Sequence, residues 1–102
     1  MPRAFVLEPS KYDSSQAEDF GKRVYVFAEG EFRISIFDDR FVGKVVDKLM
    51  DYNFDPDQDF IVLTGDLIVV SLFAVAATSW TDLRVKALAW HSGDRCYKEL
   101  LL

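Results

Sequence analysis

The spacing of apolar positions shifts along the chain, and each shift marks a boundary between elements. Ala4, Phe5, Val6 and Leu7 form a short run that predicts a strand, closed by Pro9. Residues 11–21, KYDSSQAEDFG, are polar and Ser-rich, which predicts a loop or a short helical turn. In residues 23–37, RVYVFAEGEFRISIF, Val24, Val26 and Ala28 alternate with Arg23, Tyr25 and Phe27. Phe32, Ile34 and Ile36 then resume a period of two, so the segment reads as a β-hairpin turning at Glu29-Gly30.

The period changes after residue 37. Phe41, Val42, Val45, Val46, Leu49 and Met50 share one face of a helix, and Arg40, Lys44, Asp47, Lys48 and Asp51 take the other. Asp38 or Asp39 is placed to cap it, because a carboxylate accepts from the unpaired amides of a first turn. Pro56 within NFDPDQD ends it.

Residues 59–80, DFIVLTGDLIVVSLFAVAATSW, carry the densest apolar signal. The run at 60–63 does not alternate, which predicts a strand buried on both faces. Thr64-Gly65-Asp66 turns it into a second helix, with Asp66 at its cap, running from Leu67 to about Ser79 and apolar nearly all round. As a membrane span it fails. The hydrocarbon core needs about 20 apolar residues, whereas the uninterrupted run 67–77 already includes Ser71, and extending it places Asp66 in lipid. Residues 83–90, LRVKALAW, read as another strand, and after a turn at Ser92-Gly93 the segment RCYKELLL returns antiparallel to it.

This order predicts one α/β domain over residues 1–102, a small two-layer or three-layer sandwich. Its core is a Rossmann-like βαβαβ unit with strands near 32–37, 59–64 and 83–90, flanked by antiparallel strands.

Composition narrows the function classes. Half of the 102 residues are apolar and 15% are aromatic, enough for a core without disulfides or a structural metal. A formal charge of −5 disfavours nucleic acid and anionic membranes as partners, since Lys and Arg drive phosphate binding. With a single cysteine, Cys96, the chain has neither an internal disulfide nor a thiolate cluster for zinc. Cys96 is read as a packing residue. The N-terminal MPRAFVLEPS lacks the pattern of a secretion signal, so a cytoplasmic setting is expected.

Ligands of open α/β sheets bind beyond the carboxyl ends of parallel strands. The predicted strand ends bring together Asp38, Thr64, Gly65, Asp66 and His91, the candidate ligand-binding residues. Capping and turn roles account for the same residues: aspartates favour helix starts, Gly65 suits a tight turn, and a lone histidine beside a hairpin is an ordinary surface residue. Neither GxGxxG nor GxxxxGK[ST] occurs, no catalytic triad is spaced along the chain, and no cofactor or metal is implied. Asp55-Pro56-Asp57-Gln58-Asp59 resembles half a calcium loop, but Phe60 stands where that loop needs glycine, so it reads as a solvated acidic turn.

The stretch DFIVLTGD, an Ala/Val-rich helix and LRVKALAWHSGDRCYKEL resemble small uncharacterised proteins encoded by tailed bacteriophages, with Gly65-Asp66, Trp90 and Tyr97 carrying the likeness over residues 59–98. The resemblance implies a phage accessory protein acting in the host cytoplasm and no transferable activity. The expected function is therefore non-enzymatic, through contacts with a host or phage protein and with a second copy of the chain, using Val69, Phe73, Trp80 and Leu101 as interface residues. The alternative is a small-molecule or nucleotide-binding or -processing protein using the strand ends. A third reading, nucleic-acid mimicry, requires the carboxylates at 47, 51, 55, 57 and 59 to form one exposed stripe.

Overall fold

In the computed structural model, which describes residues 1–7, 13–27, 38–65, 67–79 and 83–102, the apolar run at the N-terminus forms β1 (Arg3–Val6). After a 3-10 helix at Ser15–Asp19 come β2 (Lys22–Tyr25), α1 (Phe41–Asp51), β3 (Phe60–Leu63), α2 (Leu67–Ser79), β4 (Lys86–His91) and β5 (Cys96–Leu101). Their strands make one mixed sheet in the order β2-β1-β3-β4-β5. β1 runs parallel to β2 from Arg3↔Lys22 to Val6↔Tyr25, and parallel to β3 through Ala4↔Phe60 and Phe5↔Ile61. β3 and β4 are parallel, and among the described strands only β5 is antiparallel, pairing with β4 from Lys86↔Leu101 to His91↔Cys96.

This corrects the sequence reading of the N-terminal third. The strand at 4–7 does not flank the sheet antiparallel to its neighbours. It lies inside the sheet with a parallel partner on each side. The physical reason is its burial on both faces: Ala4 and Val6 enter one apolar cluster while Phe5 and Leu7 enter the other. The described half of the expected hairpin, β2, pairs in parallel with β1, and amides of Val26 and Phe27 extend the pairing to Val6 and Leu7. The expected turn at Glu29-Gly30 and the strand at 32–37 lie outside the described residues.

The two faces of the sheet are covered unequally. Phe5, Ile61, Val85 and Ala87 pack beneath Phe41, Val45 and Leu49 of α1 and Phe73, Ala76 and Ala77 of α2. Ala4, Val6, Phe60, Val62, Leu88 and Tyr97 form the opposite cluster, joined by Ala17 of the 3-10 helix. The chain thus moves from β1 to β2 across one face, then reverses direction and makes its next crossovers on the other. Crossovers of a single hand require that change of face. The result is a two-layer core with a thin cover on its second side.

α1 matches its pattern closely, with Phe41, Val45 and Leu49 buried and Val42 and Val46 half-buried. Its assigned cap is Arg40, one or two residues later than expected. Asp38 acts just before it, accepting the Arg40 amide at 2.9 Å. α2 also matches in extent, but it is not enclosed: Leu67 is 79% and Val75 52% exposed, whereas Phe73 is 1% exposed.

The amino ends of the strands are locked by one buried acid. Asp59, 1% exposed, accepts from the Arg3 amide at 3.0 Å, the Arg3 guanidinium at 2.8 Å and the Asp55 amide at 2.8 Å. The reading of 55–59 as a wholly solvated acidic turn is overturned at this residue, because a carboxylate just ahead of a central strand meets the arginine that opens the neighbouring one. The stripe required for nucleic-acid mimicry fails with it, since Asp59 faces inward.

Candidate functional site

The sequence at 63–65 positions the main cleft. Leu63 is the last residue of β3, and Gly65 adopts φ +112, a left-handed conformation that side chains rarely tolerate. The chain therefore leaves the strand sharply at Thr64-Gly65. β4 and β5 continue past that point, and their register sets Trp90 opposite Tyr97. The rings meet edge-to-face, with centroids 5.3 Å apart and planes at 77°. Asp13, just ahead of the 3-10 helix, closes the far side. Together Asp13, Leu63, Thr64, Gly65, Trp90 and Tyr97 line a cleft of about 400 Å³.

The cleft opens on the face of the sheet that carries the 3-10 helix, because Tyr97 belongs to that cluster. Its two rings differ in environment. Tyr97 is 4% exposed and forms the floor, whereas Trp90 is 45% exposed. Burial pushes the Tyr97 phenol above its ordinary range, with the Thr64 side chain beside it opposing the shift. Asp13 is held below the usual carboxylate range, first by the Ser15 backbone amide, which donates to it at 2.9 Å, and then by the Ser15 side chain. The wall is thus anionic at Asp13, hydroxyl-bearing at Thr64 and Tyr97, aromatic at Trp90 and Tyr97, and otherwise formed by Leu63 and Gly65.

Of the candidate residues drawn from the sequence, Thr64 and Gly65 line this cleft, while Asp38 and His91 do not. His91 is turned to its own hairpin, where Nδ1 accepts the Asp94 amide at 3.0 Å and stands 3.7 Å from the Asp94 carboxylate. Asp38 pairs with Arg40 at 2.9 Å, and the arginine hydrogen bonds lower its carboxyl to about 2. Asp66 lies outside the described residues, and so does its expected capping role. Asp13, Trp90 and Tyr97 were not named as ligand contacts from sequence. Strand register alone could have signalled the Trp90–Tyr97 pair, whereas Asp13 arrives through a crossover that no local pattern specifies. Among the described residues, no group of three His, Cys, Asp or Glu side chains is placed to hold a metal ion.

A second feature lies on the opposite face. The outward residues of α2 are Leu67, Ile68, Ser71, Val75 and Thr78, a stripe at helical spacing with no charged side chain. Beside it Ala74, Val75, Thr78, Leu83, Arg84 and Leu102 line an open groove of about 540 Å³. Val69 packs half-buried against the core, and Phe73 is fully inside it, so the exposed surface of this helix belongs to other residues than those two. Leu101 is 52% exposed at the end of β5, and Trp80 lies outside the described residues. No helix among the described residues is long and apolar enough to cross a membrane.

Comparison with known proteins adds one finding. A family model described as "Phage Pam3 gp32-like protein" matches residues 5–102, which includes the C-terminal segment whose pattern resembles phage proteins and extends well beyond it. No curated protein and no solved structure matches the chain.

Proposed function

The chain belongs to the Phage Pam3 gp32-like protein family, and on that premise we propose that it is a non-enzymatic phage accessory protein of the host cytoplasm that works through protein contacts, beginning with a second copy of itself. The observation that carries this reading is the outer face of α2. Leu67 and Val75 stand in water there, and each large side chain so placed forgoes about 1.5–3 kcal/mol of burial. Contiguous apolar surface of this kind on a small domain marks an interaction site.

A second copy suits the surface because α2 carries no charged residue. Two chains of formal charge −5 repel at long range, yet identical helices packed stripe to stripe about a two-fold axis bring no like charges into contact from α2 itself. The groove running from Ala74 to Leu102 widens that surface with further apolar side chains. In this reading the core is a Rossmann-like scaffold. The parallel order β2-β1-β3-β4, with its reversal of direction at β1, supports that assignment.

Light scattering coupled to size-exclusion chromatography tests it. At micromolar concentration the expected mass is at least twice 11.7 kDa, and Val75→Glu returns it towards the monomer. A monodisperse mass of one chain, with the same elution for Val75→Glu, overturns self-association.

A further inference from the structure

The cleft beyond β3 has no part in that contact surface, because it opens on the face of the sheet opposite α1 and α2. Its shape and chemistry raise a separate question. Trp90 is the largest side chain at the carboxyl edge and is held half in water by strand register, with Tyr97 locked edge-to-face against it. An indole kept open and braced against a buried phenol supplies a flat apolar surface at a reduced ordering cost on binding.

The remaining lining selects the ligand's polarity. The Thr64 hydroxyl, hydrogen-bonded to the Tyr97 side chain, keeps a further position for a ligand, and the Asp13 carboxylate only accepts. No lysine or arginine lines the cleft among the described residues. A phosphate or carboxylate there would meet the Asp13 carboxylate in the lining itself, with the Arg23 guanidinium acting on Asp13 and Tyr97 only from outside it, while an exocyclic amine or ring N–H would find an acceptor. A volume of about 400 Å³ lies at the small end of ordinary ligand pockets, room for a compact ring compound. Gly65 adds an open approach, since a Cβ built at this residue would meet nothing within 4 Å.

We propose that this cleft binds a small planar ring compound bearing N–H donors and no net negative charge, seated against Trp90 with its polar edge on Thr64 and Asp13. A nucleobase or its nucleoside is the simplest probe of that class. Nucleotides are disfavoured, which separates this site from the phosphate-binding use of strand ends in dinucleotide folds.

The test is a set of amide and indole NMR titrations of the intact protein with adenosine, guanosine, cytidine and uridine, each beside its 5′-monophosphate. The expected result is saturable shifts confined to Thr64, Gly65, the Trp90 indole and Tyr97 for at least one nucleoside, with the matching monophosphate weaker. Trp90→Ala, at an exposed position, is expected to weaken that nucleoside about tenfold, in line with the worth of one stacked base, and Trp90→Phe to recover part of the loss. Asp13→Asn is expected to narrow the gap between nucleoside and monophosphate. Absence of saturable shifts with all eight probes, shifts that survive Trp90→Ala unchanged, or monophosphates binding more tightly than nucleosides would each overturn the proposal.

Discussion

Arg3 and Asp59, 56 residues apart, form a fork in which one guanidinium holds a buried carboxylate and two helix-end carbonyls at once. The arginine donates to Asp59 Oδ2 at 2.8 Å, to the Tyr52 carbonyl at 2.7 Å and to the Asn53 carbonyl at 2.9 Å. The same carboxylate accepts the amides of Arg3 and Asp55. The pair therefore ties the start of β1 to the end of α1 and to the turn that feeds β3.

Removing Asp59 strands two backbone amides and takes the carboxylate from the guanidinium. Asp59→Ala is expected to lower unfolding free energy by about 2–4 kcal/mol, read from urea melts. Arg3→Lys keeps the charge but loses the planar fork, so it is expected to destabilise as well. If both variants melt within error of the parent, the lock contributes nothing to the fold.

Asp38 gives an acid-side signature. Its folded value of about 2 lies below the ordinary 3.8, chiefly because of the Arg40 side-chain hydrogen bond. A depressed carboxyl stabilises the fold above its unfolded value, and that contribution disappears as pH falls from about 4 through about 2. NMR titration is expected to place the Asp38 midpoint well below that of an ordinary aspartate, and Arg40→Ala to raise it. An unshifted midpoint that ignores Arg40→Ala would contradict the pair.

Tyr97 gives the opposite one. Burial raises its phenol above 10.0, so folding favours the protonated ring. That stabilisation is complete below about pH 10 and is lost as pH rises through the folded value. Tyr97 is expected to ionise above pH 10.0 in an ultraviolet titration, and Tyr97→Phe to remove that step.

Arg95 sits at φ 52 in the loop between β4 and β5. A long side chain pays for that left-handed backbone, whereas glycine adopts it freely. Arg95→Gly is expected to leave stability unchanged or to raise it by up to about 1 kcal/mol, measured by thermal melting. A loss of more than that would show that the Arg95 side chain holds the hairpin.

α2 permits a test by stability alone. Leu67 is 79% exposed, so Leu67→Lys is expected to cost less than about 0.5 kcal/mol in a dilute monomer. Phe73→Ala, in contrast, is expected to cost about 3–5 kcal/mol, because it empties a fully buried site. Equal costs would mean that the helix packs on the sheet by another face.

What the sequence settled by itself is local. The period of apolar residues located α1, the apolar runs located β3 and α2, and Ser92-Gly93 located the β4–β5 turn, because each depends on neighbours within a few positions. It also located Thr64-Gly65 at a strand end, since a glycine beyond a buried strand has few other uses. Membership of β1 in the sheet interior was not legible: four apolar residues suit an edge or a centre, and only the pairing with both β2 and β3 decides between them. Asp59 read as solvated because its partner is 56 residues away, beyond any periodicity. The cleft followed the same rule. Thr64 and Gly65 come from β3, Trp90 and Tyr97 from the hairpin, and Asp13 from the first crossover, so their meeting is a property of strand order and of the face on which each connection passes. Burial of α2 was likewise decided in three dimensions. A helix apolar on every side states that it seeks cover, but only the position of the sheet selects Phe73 for the core and leaves Leu67 and Val75 outside.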